Sequence, residues 1–199
     1  NDGLSDRIEL NETDTNINSA DLADQLADFD NDGLSNLIEV SQLLTNPSLK
    51  DTDSNGIDDG SEDFDQDGLT NLQELNDTGT DPTDSDSLGN GILDGDEDRD
   101  VDGLSDGLEL NHINPDTNEP YYDFELSDSD ANAVLDGEED FDGDALSNRV
   151  EVELTLTNPW LADSDADGVN DGAEDTDSDG LTDSQEIYVT QTDFRLKDS

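Results

Sequence analysis

A single twelve-residue pattern, D-x-D-x-[DN]-G-[LIV]-x-[DN]-x-x-E, decides what this chain can fold into, because it recurs in register along almost the whole length. DFDNDGLSNLIE (Asp28 to Glu39) is followed 35 residues later by DFDQDGLTNLQE (Asp63 to Glu74), and after 35 more by DRDVDGLSDGLE (Asp98 to Glu109). DFDGDALSNRVE (Asp140 to Glu151) comes after 42, and DTDSDGLTDSQE (Asp175 to Glu186) after 35. We call these the trailing loops. Directly before each of the last four lies a related leading loop: DTDSNGIDDGSE from Asp51, DSLGNGILDGDE from Asp86, DSDANAVLDGEE from Asp128 and DSDADGVNDGAE from Asp163. One unit is thus two fused loops and an 11-residue connector in which a Thr-Asn/Asp-Pro turn recurs, as at Thr45-Asn46-Pro47 and Thr157-Asn158-Pro159. Fixed periods of this length are the mark of a repeat array.

The expected organisation is a truncated, degenerate first repeat (1–27), repeats at 28–62 and 63–97, a repeat at 98–139 with a seven-residue insertion, a repeat at 140–174, and a last repeat (175–199) ending at the start of a further loop. Composition alone argues for disorder: 58 Asp plus Glu face 6 Lys plus Arg, the formal charge is −52, and only 29% of residues are hydrophobic. Register overturns that reading. The same composition excludes other classes. No apolar run spans a bilayer, no basic patch holds phosphates, and the absence of Cys removes disulfides and thiolate metal sites.

The spacing has a chemical reading. Short carboxylates on alternate residues of a tight loop point at one centre, Gly at position 6 makes the sharp turn, position 7 offers its carbonyl, and Glu at 12 reaches back with two oxygens. This is the arrangement of an EF-hand-type calcium loop. The expected ligands of the trailing loops are Asp28, Asp30, Asp32, Leu34, Asn36 and Glu39; Asp63, Asp65, Asp67, Leu69, Asn71 and Glu74; Asp98, Asp100, Asp102, Leu104, Asp106 and Glu109; Asp140, Asp142, Asp144, Leu146, Asn148 and Glu151; and Asp175, Asp177, Asp179, Leu181, Asp183 and Glu186. Those of the leading loops are Asp51, Asp53, Asn55, Ile57, Asp59 and Glu62; Asp86, Asn90, Ile92, Asp94 and Glu97; Asp128, Asp130, Asn132, Val134, Asp136 and Glu139; and Asp163, Asp165, Asp167, Val169, Asp171 and Glu174. Leu88 deprives the Asp86 loop of a carboxylate at position 3, so that site is expected to be weak or empty. Ala133 and Ala145 replace the glycine of two loops and carry strain if φ is positive there. About nine calcium ions are expected within the chain. Every close pair of acids falls inside this register, so no glycosidase-like pair and no enzymatic activity is expected.

Ser or Thr at position 8 of the trailing loops (Ser35, Thr70, Ser105, Ser147, Thr182) is placed to cap a helix of two or three turns. Leu37, Ile38, Leu43 and Leu44 are then expected on one face, within connectors that hold most of the apolar residues. Gly at position 10 of the leading loops is read as a turn into the next loop. The fold class is an elongated, calcium-stabilised repeat array of tandem loops with short helices and little or no sheet, its core divided among repeats. Trp160, Tyr121, Tyr122 and Phe124 are expected to pack within connectors, and His112 to lie on the surface.

The stretch DSDADGVNDGAEDTDSDGLTDSQE (Asp163 to Glu186), with the Thr-Asn/Asp-Pro connectors, resembles the bacterial relatives of thrombospondin type 3 repeats. That resemblance implies a secreted or surface protein with calcium strung along an extended array, often a stalk beside other domains. Direct fusion of the loops in pairs departs from it. Three roles are open: a rigid stalk or spacer within a longer adhesin or surface protein, a self-assembling filament subunit, and a soluble calcium-binding or mineral-contact protein. The filament idea comes from the ends. Asp2, Leu4, Asp6 and Glu9 read as the later part of a loop and Asp198 as the start of one, so head-to-tail association would complete a shared calcium site. The alternative is an array cut at loop boundaries. Nucleic acid and membrane spans are not expected.

Overall fold

The computed structural model describes residues 26–114 and 120–197. The chain forms two units, Asn1–Glu97 and Asp98–Ser199, divided between two fused loops. Among the described residues the regular structure is short helices, the only β pairing is an isolated bridge between Ile113 and Pro120, and no helix is long and apolar enough to cross a membrane.

All nine loops have one backbone. Position 4 is left-handed in each, from Asn31 (φ 63°) to Ser178 (φ 63°), and so is position 6, including Ala133 (φ 73°) and Ala145 (φ 82°). The first Asp shapes this turn. Asp28 Oδ1 accepts the N–H groups of Asn31 and Asp32 at 2.7 and 3.3 Å, and Oδ2 accepts that of Gly33 at 3.1 Å. The loop closes when the N–H of position 9 donates to the carbonyl just before position 1, as from Asn71 to Glu62 (2.8 Å) and Asp183 to Glu174 (2.7 Å). The carboxylate or amide of position 9 also accepts the N–H of position 2, as Asp106 does from Arg99 (3.1 Å).

Each trailing loop runs into a helix. α1 starts at Asn36–Ile38 and widens into a π turn over Glu39–Leu43; α2 covers Asn71–Gln73 and Glu74–Thr78; α3 is Asp106–Asn111; α4 covers Asn148–Val150 and Glu151–Thr155; α5 covers Asp183–Gln185 and Glu186–Thr190. The caps stand where the sequence puts them. Ser35 and Ser105 accept the N–H three residues on, and Thr70 and Thr182 form full capping boxes with Gln73 and Gln185. Ser147 departs: its side chain caps nothing, and its own N–H donates to the Tyr188 hydroxyl at 2.8 Å. Four helices stop at a left-handed residue, Leu44, Gly79, Leu156 or Gln191. This turn throws Leu44 outward. Leu43 is buried but Leu44 is 78% exposed, so the two do not share a face.

The connectors bury Leu43, Leu110, Tyr122 and Phe194 but leave Leu49, Leu156 and Leu161 exposed; the other half of the core is outside them. It sits where trailing loop meets helix. Leu34, Leu69, Leu104 and Leu146 at position 7 are 0–1% exposed, whereas the leading-loop equivalents Ile57, Ile92, Val134 and Val169 are 40–49% exposed. Gly at position 10 explains how a leading loop is seated. None of Gly60, Gly95, Gly137 and Gly172 has positive φ, so backbone freedom is not the reason for glycine. A Cβ on Gly60 would stand 2.5 Å from the Asp32 carbonyl oxygen, and one on Gly172 2.5 Å from that of Asp144. Each leading loop thus packs its glycine onto position 5 of the trailing loop before it.

In the second unit the inserted connector builds an aromatic cluster. His112 is half-buried, not free on the surface: its ring stacks on Trp160 (3.7 Å between centroids) and on Tyr121 (4.7 Å). Phe141 meets Trp160 edge-on at 5.1 Å, and the buried Tyr122 lies 6.2 Å from Phe141. Phe124 packs under the Arg99 guanidinium, 5.1 Å from its ring.

Left-handed alanines and close-packed glycines lead to opposite expectations. Ala145→Gly relieves a conformation that costs a non-glycine residue about 1–2 kcal/mol, partly offset by glycine's greater chain entropy. It is expected to raise the thermal midpoint in calcium, with a gain of about 0.5–1 kcal/mol. Gly60→Ala meets a backbone carbonyl that cannot step aside, and is expected to lower the midpoint. Thermal denaturation followed by circular dichroism measures both.

Candidate metal centre

The trailing loops concentrate charge in a way that hydrogen bonding does not satisfy. In the first, Asp28 accepts the loop's own N–H groups, and Asp32 Oδ1 accepts the N–H of Leu34 at 2.8 Å. Both oxygens of Asp30, the second oxygen of Asp32 and both oxygens of Glu39 are buried without any hydrogen-bond partner. The pattern repeats. Both oxygens of Asp65 and of Glu109 are partnerless, as is one oxygen each of Asp67, Glu74, Asp100, Asp142, Glu151, Asp177 and Glu186. Thr80, Thr157 and Thr192 donate to the other oxygen of Glu74, Glu151 and Glu186 at 3.2, 3.3 and 3.0 Å. A buried carboxylate without a partner is costly, and so many in one register call for a cation.

Geometry agrees. One oxygen from each of Asp28, Asp30 and Asp32 lies within 4.8 Å of the others, as in Asp63–Asp65–Asp67 and Asp98–Asp100–Asp102. A second grouping is not visible in the register. Asp32 and Glu39 are joined by Asp59, and Asp67 and Glu74 by Asp94, again within 4.8 Å. Asp59 and Asp94 are position 9 of the next leading loop, assigned by sequence to their own loops. Gly60 and Gly95, one residue on, are the signal that could have placed them, because they mark the close approach to Asp32 and Asp67. In its own loop Asp59 also accepts the N–H and hydroxyl of Thr52 at 2.8 and 2.6 Å.

The leading loops are different. Their carboxylates at positions 1 and 3 accept N–H groups, as Asp51 does from Asn55 and Gly56 at 3.1 and 2.9 Å, and those at position 3 are open to solvent. In the Asp86 loop, Leu88 at position 3 is exposed. Asp2, Leu4, Asp6, Glu9 and Asp198 lie outside the described residues.

The donors brought together are hard oxygens with no His or Cys among them, a set that suits calcium and not zinc. A family model, described as "Bacterial TSP3 repeat", matches residues 63–85, 98–114 and 175–193. Each match opens on the first Asp of a trailing loop. These three stretches match bacterial TSP3 repeats. Repeats of this kind bind calcium, and three trailing loops with partnerless buried carboxylates fall in the matched stretches. Among curated proteins no sequence matches the chain. Among solved structures, "Biofilm associated protein - B domain" is similar at 25% identity over 30% of this chain and 12% of its own length; its TM-score of 0.18 carries no argument about the fold.

Crowding of the TSP3 carboxylates shows in their proton affinity. Burial, then Asp30, Asp32 and Asp59 nearby, pushes Glu39 up to about 9. Glu109 reaches about 9 through burial and then Asp102 and Asp100. Glu74 and Glu151 reach about 8, and Asp65, Asp100 and Asp142 about 6, burial again leading. These groups bind protons more tightly when folded than in the unfolded chain. The cation-free fold is therefore most stable below the ordinary carboxylate range and loses stability as pH rises through 8 and 9. In chelator, lowering the pH from about 9 towards about 5 is expected to raise the helical signal and thermal midpoint. In calcium the trend reverses, because protons compete with the metal for the same oxygens. Circular dichroism at several pH values, with and without metal, tests both arms.

Proposed function

We propose that this chain is an extracellular, calcium-binding structural protein, a stiff stalk or spacer whose folding requires calcium. The observation that carries the reading is the set of buried, partnerless carboxylate oxygens repeated at positions 3 and 12 of the trailing loops. The residues that would hold the ion in the first of them are Asp28, Asp30, Asp32 and Glu39, with Asp59 beside them. Bound calcium supplies the positive charge that lets these carboxylates share a small volume. The chain's own residues do the rest. Asp at position 1 holds the loop backbone in shape, and Glu39 belongs to the widened turn of α1, so a ligand there ties loop to helix. Asp59 and Gly60 tie the next loop to the same place. Stiffness would follow from this linkage of neighbours, as in other arrays.

A chain at −52 with a core this small resists collapse, and each ion removes two charges. Calcium binding free energy is then folding free energy. Extracellular modules of this type bind in the range of roughly 10⁻⁴–10⁻³ M, which suits the calcium level outside cells and not that of a cytosol. No residue is assigned to catalysis.

Excess chelator is expected to abolish the cooperative thermal transition and most of the helical circular dichroism, and calcium to restore both. Glu109→Gln, which removes a charged ligand at a fully buried position, is expected to raise the calcium needed for half-maximal folding several-fold. An unchanged, cooperative transition in chelator overturns the reading.

A further inference from the structure

The loops do not demand a cation equally, and position 5 separates them. In three leading loops it is asparagine, and its amide is used twice. Oδ1 accepts the N–H of position 7 (Ile57, Ile92 and Val134, at 2.8, 2.8 and 2.7 Å). Nδ2 donates to the glutamate at position 12 (Glu62, Glu97 and Glu139, at 2.7, 2.7 and 2.6 Å). At Glu139 the other oxygen accepts from the Tyr122 hydroxyl at 2.9 Å.

The trailing loops keep only the first half of this arrangement. Asp32 and Asp67 accept the N–H of position 7 on Oδ1 (both 2.8 Å), and their second oxygen is buried and partnerless, as are oxygens of Glu39 and Glu74. An amide nitrogen therefore stands where the first two trailing loops hold a free ligand oxygen; in the next two, Asp102 and Asp144 turn that oxygen to the N–H of Gly137 and Gly172 at 2.9 and 2.7 Å, leaving the glutamate of their own loop without an amide partner. The amide nitrogen carries two protons and no available lone pair, so it cannot ligate a metal. To bind, the asparagine must turn over and give up both hydrogen bonds. Among the described residues every partnerless buried carboxylate oxygen belongs to a trailing loop. The fourth leading loop breaks the pattern. Its position 5 is Asp167, which accepts the N–H of Val169 at 2.9 Å and has no proton to donate to Glu174.

We infer that position 5 sets the order of calcium loading. The five trailing loops and the loop at 163–174 take calcium tightly, while those at 51–62, 86–97 and 128–139 are latched by their own Asn–Glu hydrogen bond and load only at much higher calcium. The inference rests on the calcium reading above and sharpens it.

Calcium titration of the full chain by isothermal calorimetry, with native mass spectrometry to count ions in the tighter phase, tests it. Asp167→Asn is expected to remove one ion from that phase, and Asn55→Asp and Asn132→Asp each to add one. All three exchanges are nearly isosteric at exposed positions, and circular dichroism in saturating calcium checks their folding. Terbium gives a second readout: Tyr122 touches Glu139, so Asn132→Asp is expected to increase tyrosine-sensitised emission at low terbium. Tight-phase counts unchanged by all three substitutions, or nine equivalent ions in the parent chain, overturn the order of loading while leaving calcium binding intact. A parent chain that binds no calcium overturns both.

Discussion

Mutual repulsion among carboxylates that the fold itself buries is the constraint on which everything else here depends. Asp30, Asp32 and Glu39 converge with no counter-charge and, at five of their oxygens, no hydrogen bond. The same arrangement returns at intervals of 35 and 42 residues. A protein interior tolerates such groups only when they are neutralised. Few basic groups come near. Lys50 pairs with Asp58 and Arg149 with Glu138 on the surface, and Arg99 reaches the buried Asp106 of one trailing loop. The architecture therefore sets aside a place for positive charge in every trailing loop and builds its hydrophobic contacts around it.

Loop shape and loop charge are handled by different residues. Asp at position 1 spends its oxygens on backbone N–H groups and holds the two left-handed residues in place. It does so in leading and trailing loops alike. Positions 3 and 12 spend little on the backbone and carry the unmet charge in the trailing loops. The backbone turn is thus common to all nine loops, while the need for a cation is not. Position 7 follows the same division. Leu34 and Leu69 are buried where the loop turns into a capped helix, and Ile57 and Ile92 are exposed where it turns into a single 3₁₀ turn.

Much of this was legible in the residues. The register located every loop. Hydroxyls at position 8 located the helix starts, Ser147 included, although its side chain caps nothing and the Tyr188 hydroxyl meets its N–H from 41 residues away. Strain at Ala133 and Ala145 followed from their position alone. The failures have a shared cause. Leu44 is the fourth apolar residue of a periodic run, yet helix termination puts it in the left-handed region and turns it to solvent. His112 is a lone polar residue in sequence, yet the inserted connector and Trp160 close around its ring. Periodicity describes an element, and neither case is decided inside one.

The sequence by itself determined the repeat, the shape of each loop and the oxygen chemistry of its converging side chains. These follow from contacts within twelve residues, where an Asp at position 1 and a left-handed residue at position 6 leave the backbone few alternatives. Only the tertiary structure decided which carboxylates stand together. Asp59 joins Asp32 and Glu39 across 20 to 27 residues of chain because Gly60 lets one loop press onto the carbonyl of another. Packing also decided which loops bury their glutamate and which leave it half-buried beside an asparagine. Electrostatic cost depends on burial and on neighbours through space, and neither is written in the spacing of acids along a chain.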